Sequence, residues 1–238
     1  MSERLNVVSW NILYDKGREE SGVIERQHDR VASQAKALME LGMDLDAVVL
    51  QEVWGQNGDQ IAMLTGNEPG SWEQHNRKNE HIGMFGQKIE AVDFHDLGYK
   101  KKAAVAHIGG LALFGLHLSA RPKNYFKRVN QSKSLCELID LEEEAVIAAD
   151  FNGPWFEAAQ RKLARRGFRS AFAEAGVSER MLYPTEKYRD IILTPRQQRI
   201  LGNRLVIDNI LVRGVTVADA GVFVGDSDHM GGWATIES

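Results

Sequence analysis

Short apolar runs, each stopped by a polar residue or a turn former, set the pattern of this chain. Residues 146–149 (Val-Ile-Ala-Ala) run straight into Asp150, Phe151, Asn152 and Gly153. Such a run fits a strand buried on both faces, although periodicity alone does not separate it from a buried helix. The continuation decides. Pro154 suits a first helical turn, residues 158–163 are good helix formers, and Gly167 suits the stop. The unit is therefore strand, tight turn, helix, with Asp150 and Asn152 at the strand's carboxyl end and their side chains on one side of it. The helix amino-terminus beside them offers free backbone N–H groups that favour an anion such as phosphate. Taken alone, Asp150 and Asn152 also suit a plain helix cap.

The rest of the chain repeats this habit. Residues 5–10 read as a buried strand ending at Asn11. Ile24, Val31, Ala35, Leu38 and Leu41 recur at helical spacing until Gly42 stops the run. Residues 47–50 form a second apolar strand that ends on Gln51-Glu52. A carboxylate just past a buried strand is costly unless a metal ion or a cation compensates it. Residues 54–80 are polar and glycine-rich, which predicts a loop with one helical turn near 61–64. Strands are expected over 82–85, 91–97, 103–108 and 111–118, with Gly109-Gly110 marking a hairpin and the last strand delivering His117. Pro122 opens a helix over 121–141. Residues 176–204, including Tyr183-Pro184-Thr185, lack periodicity, and a long irregular segment in a compact domain is often functional. A strand over 205–212 is interrupted by Asp208-Asn209, and Gly-Asp-Ser-Asp-His at 225–229 precedes a final strand near 233–236.

Composition narrows the class. With 238 residues and 43% hydrophobic content, the chain can bury a substantial core, and no linker divides it, so a single domain over 1–238 is expected. The net charge of -4 gives no general pull towards nucleic acid or anionic membranes. Any such pull falls to a local patch, and Lys100, Lys101 and Lys102 with Arg121, Lys123, Lys127, Arg128 and Lys133 make the best one; Lys101, Lys102 and Arg128 are the candidate substrate contacts. A lone Cys136 excludes an intramolecular disulfide and fits a reducing compartment. No signal-peptide pattern opens the chain and no apolar run approaches about 18 residues. A cytoplasmic monomer without a membrane span is the expectation.

Each polar signal is weak singly, but their placement is shared. Asn11, Glu52, His117, Asp150 with Asn152, and Asp228 with His229 all follow short apolar strands, and Asp208 lies in one. Strand ends in a layered sheet fold converge on one rim, so these groups are candidates for one site.

Ser9-Trp10-Asn11, Leu50-Gln51-Glu52, His117-Leu118, Asp150-Phe151-Asn152, Ile207-Asp208 and Ser227-Asp228-His229 occur in the order found in the endonuclease/exonuclease/phosphatase family. The resemblance spans nearly the whole chain. It implies an α/β fold, a four-layer α/β/β/α sandwich of two mainly antiparallel sheets flanked by helices, like that of the pancreatic-type DNases. It also implies hydrolysis of phosphate esters dependent on Mg²⁺, with Mn²⁺ as a substitute. Carried over by motif, Glu52 is the principal metal ligand with Asn11 beside it and Asp228 near the metal. Asp150 positions or deprotonates the attacking water, Asn152 and His117 donate hydrogen bonds to phosphoryl oxygens, and Asp208 orients His229. Some positions depart from the apurinic-endonuclease pattern: Leu13 stands where those enzymes carry an acid, and Val53 follows Gln51-Glu52. His117-Leu118-Ser119, Arg128, Gln131 and the residues around His229 are closer to the tyrosyl-DNA phosphodiesterase, deadenylase and sphingomyelinase branches. The expected activity is a phosphodiesterase acting on nucleic acid or nucleotides. A phosphomonoesterase or a sphingomyelin-type phosphodiesterase is the alternative within the enzymes. A catalytically silent binding module is the alternative outside them, although Glu52, Asp150 and His229, which a silent module is expected to lose, are all present.

Overall fold

Strands buried on both faces need a layer on each side, and the computed structural model supplies them. It describes residues 4–13, 24–74, 80–120, 122–154, 157–178, 181, 183–185 and 206–238, leaving aside the side chains of 24–29 and 122. In chain order the elements are β1 (Arg4–Asn11), α1 (Ile24–Met39), β2 (Ala47–Val53), α2 (Gly55–Leu64), β3 (Ser71–Gln74), β4 (His81–Phe85), β5 (Asp93–Gly98), β6 (Lys101–Ile108) and β7 (Leu111–His117). A short 3-10 turn (Pro122–Asn124) leads into α3 (Tyr125–Ile139). Then come β8 (Ala145–Asp150), α4 (Ala158–Ala164), β9 (Arg169–Ser170), α5 (Ala171–Glu174), β10 (Asp208–Arg213), β11 (Thr216–Phe223) and β12 (Gly231–Glu237).

The strands form two six-stranded sheets, ordered β11-β12-β1-β2-β4-β3 and β5-β6-β7-β8-β10-β9. Every pairing is antiparallel except one at the centre of each sheet, β1 with β2 and β7 with β8. Each parallel pair needs a crossover, and α1 and α3 provide it. Alternation along the strands then divides the apolar residues among three cores. Leu5, Val7, Ala47 and Val49 of one sheet meet Ala104, Leu113, Val146 and Ala148 of the other between the sheets. Val8, Trp10, Val48 and Leu50 turn to α1 and α2. Ala103, Phe114, Ile147 and Ala149 turn to α3 and α4. The expected four-layer sandwich is thus present. Gly115 lets the sheets close: a Cβ there would lie 2.7 Å from Val49 Cγ1 and 2.9 Å from Met84 Cε.

Several expected boundaries move. The loop expected over 54–80 contains the ten-residue α2 and the edge strand β3, packed through Trp72, whose ring lies where a Cβ on Gly58 would be, 2.4 Å away. The helix after Asp150 begins at Ala158 rather than Pro154, and that after His117 begins at Tyr125 behind its 3-10 turn. Asp208 opens its strand instead of interrupting it. Much of the irregular stretch at 176–204 lies outside the described residues. Among the described residues, no helix is long and apolar enough to cross a membrane.

Candidate active site

Parity brings the polar groups together. Continuing the inter-sheet face past its apolar residues leads to Asn11 on β1, Gln51 on β2, His117 on β7 and Asp150 on β8, all buried at the strands' carboxyl ends. Asp208 joins them from antiparallel β10, directly across from Asp150, while His117 sits opposite Asp150 on the other side. The two sheets meet here: Asn11 Nδ2 donates to Asp150 Oδ2 over 2.9 Å.

Glu52 reaches this face by breaking parity. Leu50 pairs with Gly83 and Val53 with His81, so two residues of β2 face one of β4, a β-bulge. Glu52 lies in that bulge at φ 51°, a left-handed conformation that side-chain-bearing residues seldom adopt. Its Oε1 comes within 3.5 Å of His117 Nε2, which is 3.7 Å from Asp150 Oδ2. Glu80, just ahead of β4, completes a group with Glu52 and His117 whose ligand atoms all lie within 4.8 Å of one another. Burial first, then the neighbouring Glu80, push the Glu52 carboxyl from its ordinary 4.5 up to about 7.

Asp150 is held rigidly. Its Oδ1 accepts from the Asn152 backbone N–H at 2.7 Å, and its Oδ2 from the amides of Asn11 and Asn152. Asn152, at φ 51°, also donates from Nδ2 to the Leu118 carbonyl, tying the turn after β8 to the end of β7. Burial, and then the facing Asp208, raise the Asp150 carboxyl to about 7 in spite of these donors. Asp208 is raised by burial as well.

His229 supplies the opposite charge. Its Nδ1 donates to Asp208 Oδ2 over 2.7 Å, and Nε2 lies 4.0 Å from Asp228 Oδ1. Burial alone lowers an imidazole's pKa, but the charge and hydrogen bond of Asp208, with Asp150 and Asp228, outweigh it and push His229 up to about 10. The Tyr183 ring lies against His229 with centroids 4.3 Å apart, and burial raises its phenol. Thr185 bonds to the carbonyls of Ser227 and Asp228, and the Ser227 hydroxyl donates to the Asn11 carbonyl, which fastens the Asp228-His229 turn to β1. Burial raises Asp228 too.

Asp150, Asp208 and His229 form a second set close enough to share an ion. The histidinium already compensates that set, and its Nδ1 is engaged. Glu52 and Glu80 offer hard oxygen donors, and Glu80 raises the cost of ionising Glu52, so their group fits a divalent cation better.

Three members of the sequence-derived basic patch, the candidate substrate contacts Arg128, Lys101 and Lys102, are taken up within the fold. Arg128 is 1% exposed: Nε and Nη2 grip both oxygens of Glu157, at 2.8 and 2.6 Å, and Nη1 donates to the Ser119 carbonyl. Lys101 is buried, and Lys102 pairs with Glu73. Arg128 thus joins the segment after His117 to the segment after Asn152 from beneath. Asn11 stands against Asp150, with its Oδ1 taken by the Leu13 N–H. Glu80 and Tyr183 join the site although no motif marks them in the sequence. A carboxylate opening a buried strand was the available signal for the first.

The model of the Endonuclease/Exonuclease/phosphatase family matches residues 8–229. Among curated proteins none matches the chain in sequence. Among solved structures, an endonuclease/exonuclease/phosphatase from Bacteroides vulgatus superposes with a TM-score of 0.77 at 15% identity, covering 99% of each chain. TDP2 of D. rerio, complexed with single strand DNA product, gives 0.75 at 15% identity over 99% of this chain and 100% of its own. TDP2 from C. elegans gives 0.71 at 18% identity over 99% of this chain and 75% of its own. At these identities the likeness speaks for the fold, whereas the family match rests on sequence and spans the strand ends from β1 to His229. The chain belongs to the endonuclease/exonuclease/phosphatase family and is a phosphoric ester hydrolase.

Proposed function

We propose that this hydrolase is a divalent-metal-dependent phosphodiesterase acting on nucleic acid. The observation that carries the reading is the gathering of Glu52, His117, Asp150, Asp208 and His229 at one rim, from both sheets. Glu52 and Glu80 would hold Mg²⁺ or Mn²⁺, with Asn11 and Asp228 at the margin of the ion's surroundings. Bound there, the ion would supply Lewis-acid stabilisation of charge on the phosphoryl oxygens.

The chain's own groups do the rest. Asp150, fixed by Asn11 and Asn152, aligns a water in line with the leaving oxygen and takes its proton. His117 donates to a non-bridging oxygen, and Asn152 joins it by giving up the 3.2 Å bond from its Nδ2 to Asp150 Oδ2. His229, kept cationic by Asp208, turns its Nε2–H towards the phosphate and offsets the charge that builds there. No covalent intermediate is required. The nucleic-acid assignment is supported by the fold shared with TDP2 of D. rerio, a protein solved with single strand DNA product.

The test is one panel: single-stranded and duplex DNA, RNA, 5′-tyrosyl DNA, a phosphomonoester and sphingomyelin. Oligonucleotide hydrolysis that stops in chelator and returns with Mg²⁺ or Mn²⁺ is expected. Turnover of the monoester or the lipid with every oligonucleotide untouched would overturn the substrate assignment.

A further inference from the structure

The tip of the β5–β6 hairpin stands at the same end of its sheet as His117. Ala103 pairs with Leu116, so the chain running back from Ala103 to the tip passes beside the residues that follow β7. Gln131 on α3 welds the pieces together. Its Nε2 donates to the Gly98 carbonyl and to Ser119 Oγ, and its Oε1 accepts from the Ser119 N–H. Hairpin tip, rim segment and the first turns of α3 are therefore one fixed surface.

That surface displays aromatic rings. Tyr99 is 52% exposed and Phe126 is 76% exposed. The core does not require Phe126, since α3 turns Arg128, Gln131, Leu135 and Ile139 inward. Tyr99 is held upright: Asn130 Nδ2 donates to its hydroxyl at 3.0 Å, and Lys127 Nζ sits 5.6 Å from its ring centroid. Tyr99 and Lys100 both occupy left-handed backbone positions, φ 56° and 62°, where a tight hairpin favours Asn-Gly. Their side chains are kept at a conformational cost.

Charge defines the partner. Lys100, Lys123 and Lys127 are exposed around the rings, and among the described residues no carboxylate pairs with them. This contrasts with Lys102 and Arg128, whose charges Glu73 and Glu157 take up. In a chain of net charge -4 this is a local cationic surface. Largely exposed rings among ammonium groups match unpaired bases linked by phosphates, because any base stacks and each phosphate meets a cation. A duplex hides its base faces and would use only the lysines.

We infer that Tyr99, Phe126 and Lys127, with Lys100 and Lys123, form a subsite that binds a single-stranded stretch of nucleic acid running off the catalytic rim. The inference rests on the nucleic-acid reading of that rim, and its test keeps the two apart. Binding of a short labelled oligothymidylate is read by fluorescence anisotropy in chelator. Hydrolysis of a small chromogenic phosphodiester is read with Mn²⁺.

Tyr99→Ala and Phe126→Ala should each weaken oligothymidylate binding by about tenfold, the scale of one lost stacking contact. Tyr99→Phe, which keeps the ring, should restore most of it. Lys127→Ala should reduce the salt slope by about one. Hydrolysis of the small ester should stay at the parent rate in all four. Unchanged binding in both alanine variants overturns the subsite, whatever the small ester does. So does a loss confined to anionic phosphatidylserine vesicles, which would mark a membrane-facing patch. A parent protein that binds oligothymidylate through these rings yet hydrolyses no phosphodiester would leave the subsite standing and remove the proposed activity.

Discussion

His229 Nδ1 donates to Asp208 Oδ2 across 2.7 Å, and both side chains are buried. The imidazole ordinarily titrates at 6.5 and in the fold at about 10. The pair's contribution to stability is therefore complete below about 6.5 and is lost as pH rises through about 10. Asp208→Asn removes the strongest reason for the cation. The alkaline limb of the pH–rate profile should move to lower pH by roughly one to three units, as His229 sheds its proton earlier. An unmoved limb would leave the pair a packing contact.

Asp150 answers differently. Asp150→Asn keeps the shape of the site but loses the acceptor for the water's proton, so the rate should fall by about 10² to 10⁴. The alkaline limb should move less than in Asp208→Asn, because Asp150 gives His229 a nearby charge but no hydrogen bond. Parallel profiles for Asp150→Asn and Asp208→Asn, differing in height alone, would refute this division of labour.

Glu52 links metal to stability. With its carboxyl raised from 4.5 to about 7, the fold disfavours its ionised form. Stability of the metal-free protein should therefore fall as pH rises from 4.5 through 7 and stay lower above it. At pH 8 in chelator, Glu52→Gln should melt higher than the parent, by on the order of 1–3 kcal/mol in stability. Adding Mn²⁺ should raise the melting temperature of the parent and leave the variant nearly unmoved. A parent whose melting ignores Mn²⁺ would count against Glu52 as a ligand.

Arg128 is buried and Glu157 half-buried, their side chains 2% and 15% exposed, so their pairing matters. Arg128→Met or Glu157→Leu takes away one half of a largely buried ion pair and should cost about 3–5 kcal/mol. Arg128→Lys should recover little, because one ammonium does not replace a bidentate guanidinium that also holds Ser119. At temperatures where the variants remain folded, kcat should fall more than KM changes. The segments that carry His117 and Asn152 lose their common anchor, while the substrate-facing surface is kept. A change in KM alone would place Arg128 in substrate binding.

Much of the architecture was legible because its central strands are buried on both faces. Short apolar runs at β2, β7 and β8, and the nearly apolar β1, read as strands once the turn formers after them are counted, and the groups that end them share a rim by parity. Peripheral strands gave no such signal. β11 buries only Ala220 of its eight residues, so its alternation is faint. α2 was hidden by Gly55 and Gly58, and Gly58 is required by the approach of Trp72 rather than by a turn. The bulge that turns Glu52 inward depends on pairing with β4, which no local pattern encodes. Arg128 was readable and was misjudged: it stands on the helical stripe of Gln131, Leu135 and Ile139, an inward position.

The groups of the proposed site are divided between the two sheets, Asn11 and Glu52 from one and His117, Asp150 and Asp208 from the other. Neither half-molecule contains a working set. On the proposed mechanism, a chain whose sheets have come apart has no complete set with which to cut a phosphate ester. Hydrolysis therefore reports the docking of the sheets, and partly assembled molecules, as they leave a ribosome or recover from heat, are inert towards the substrates around them.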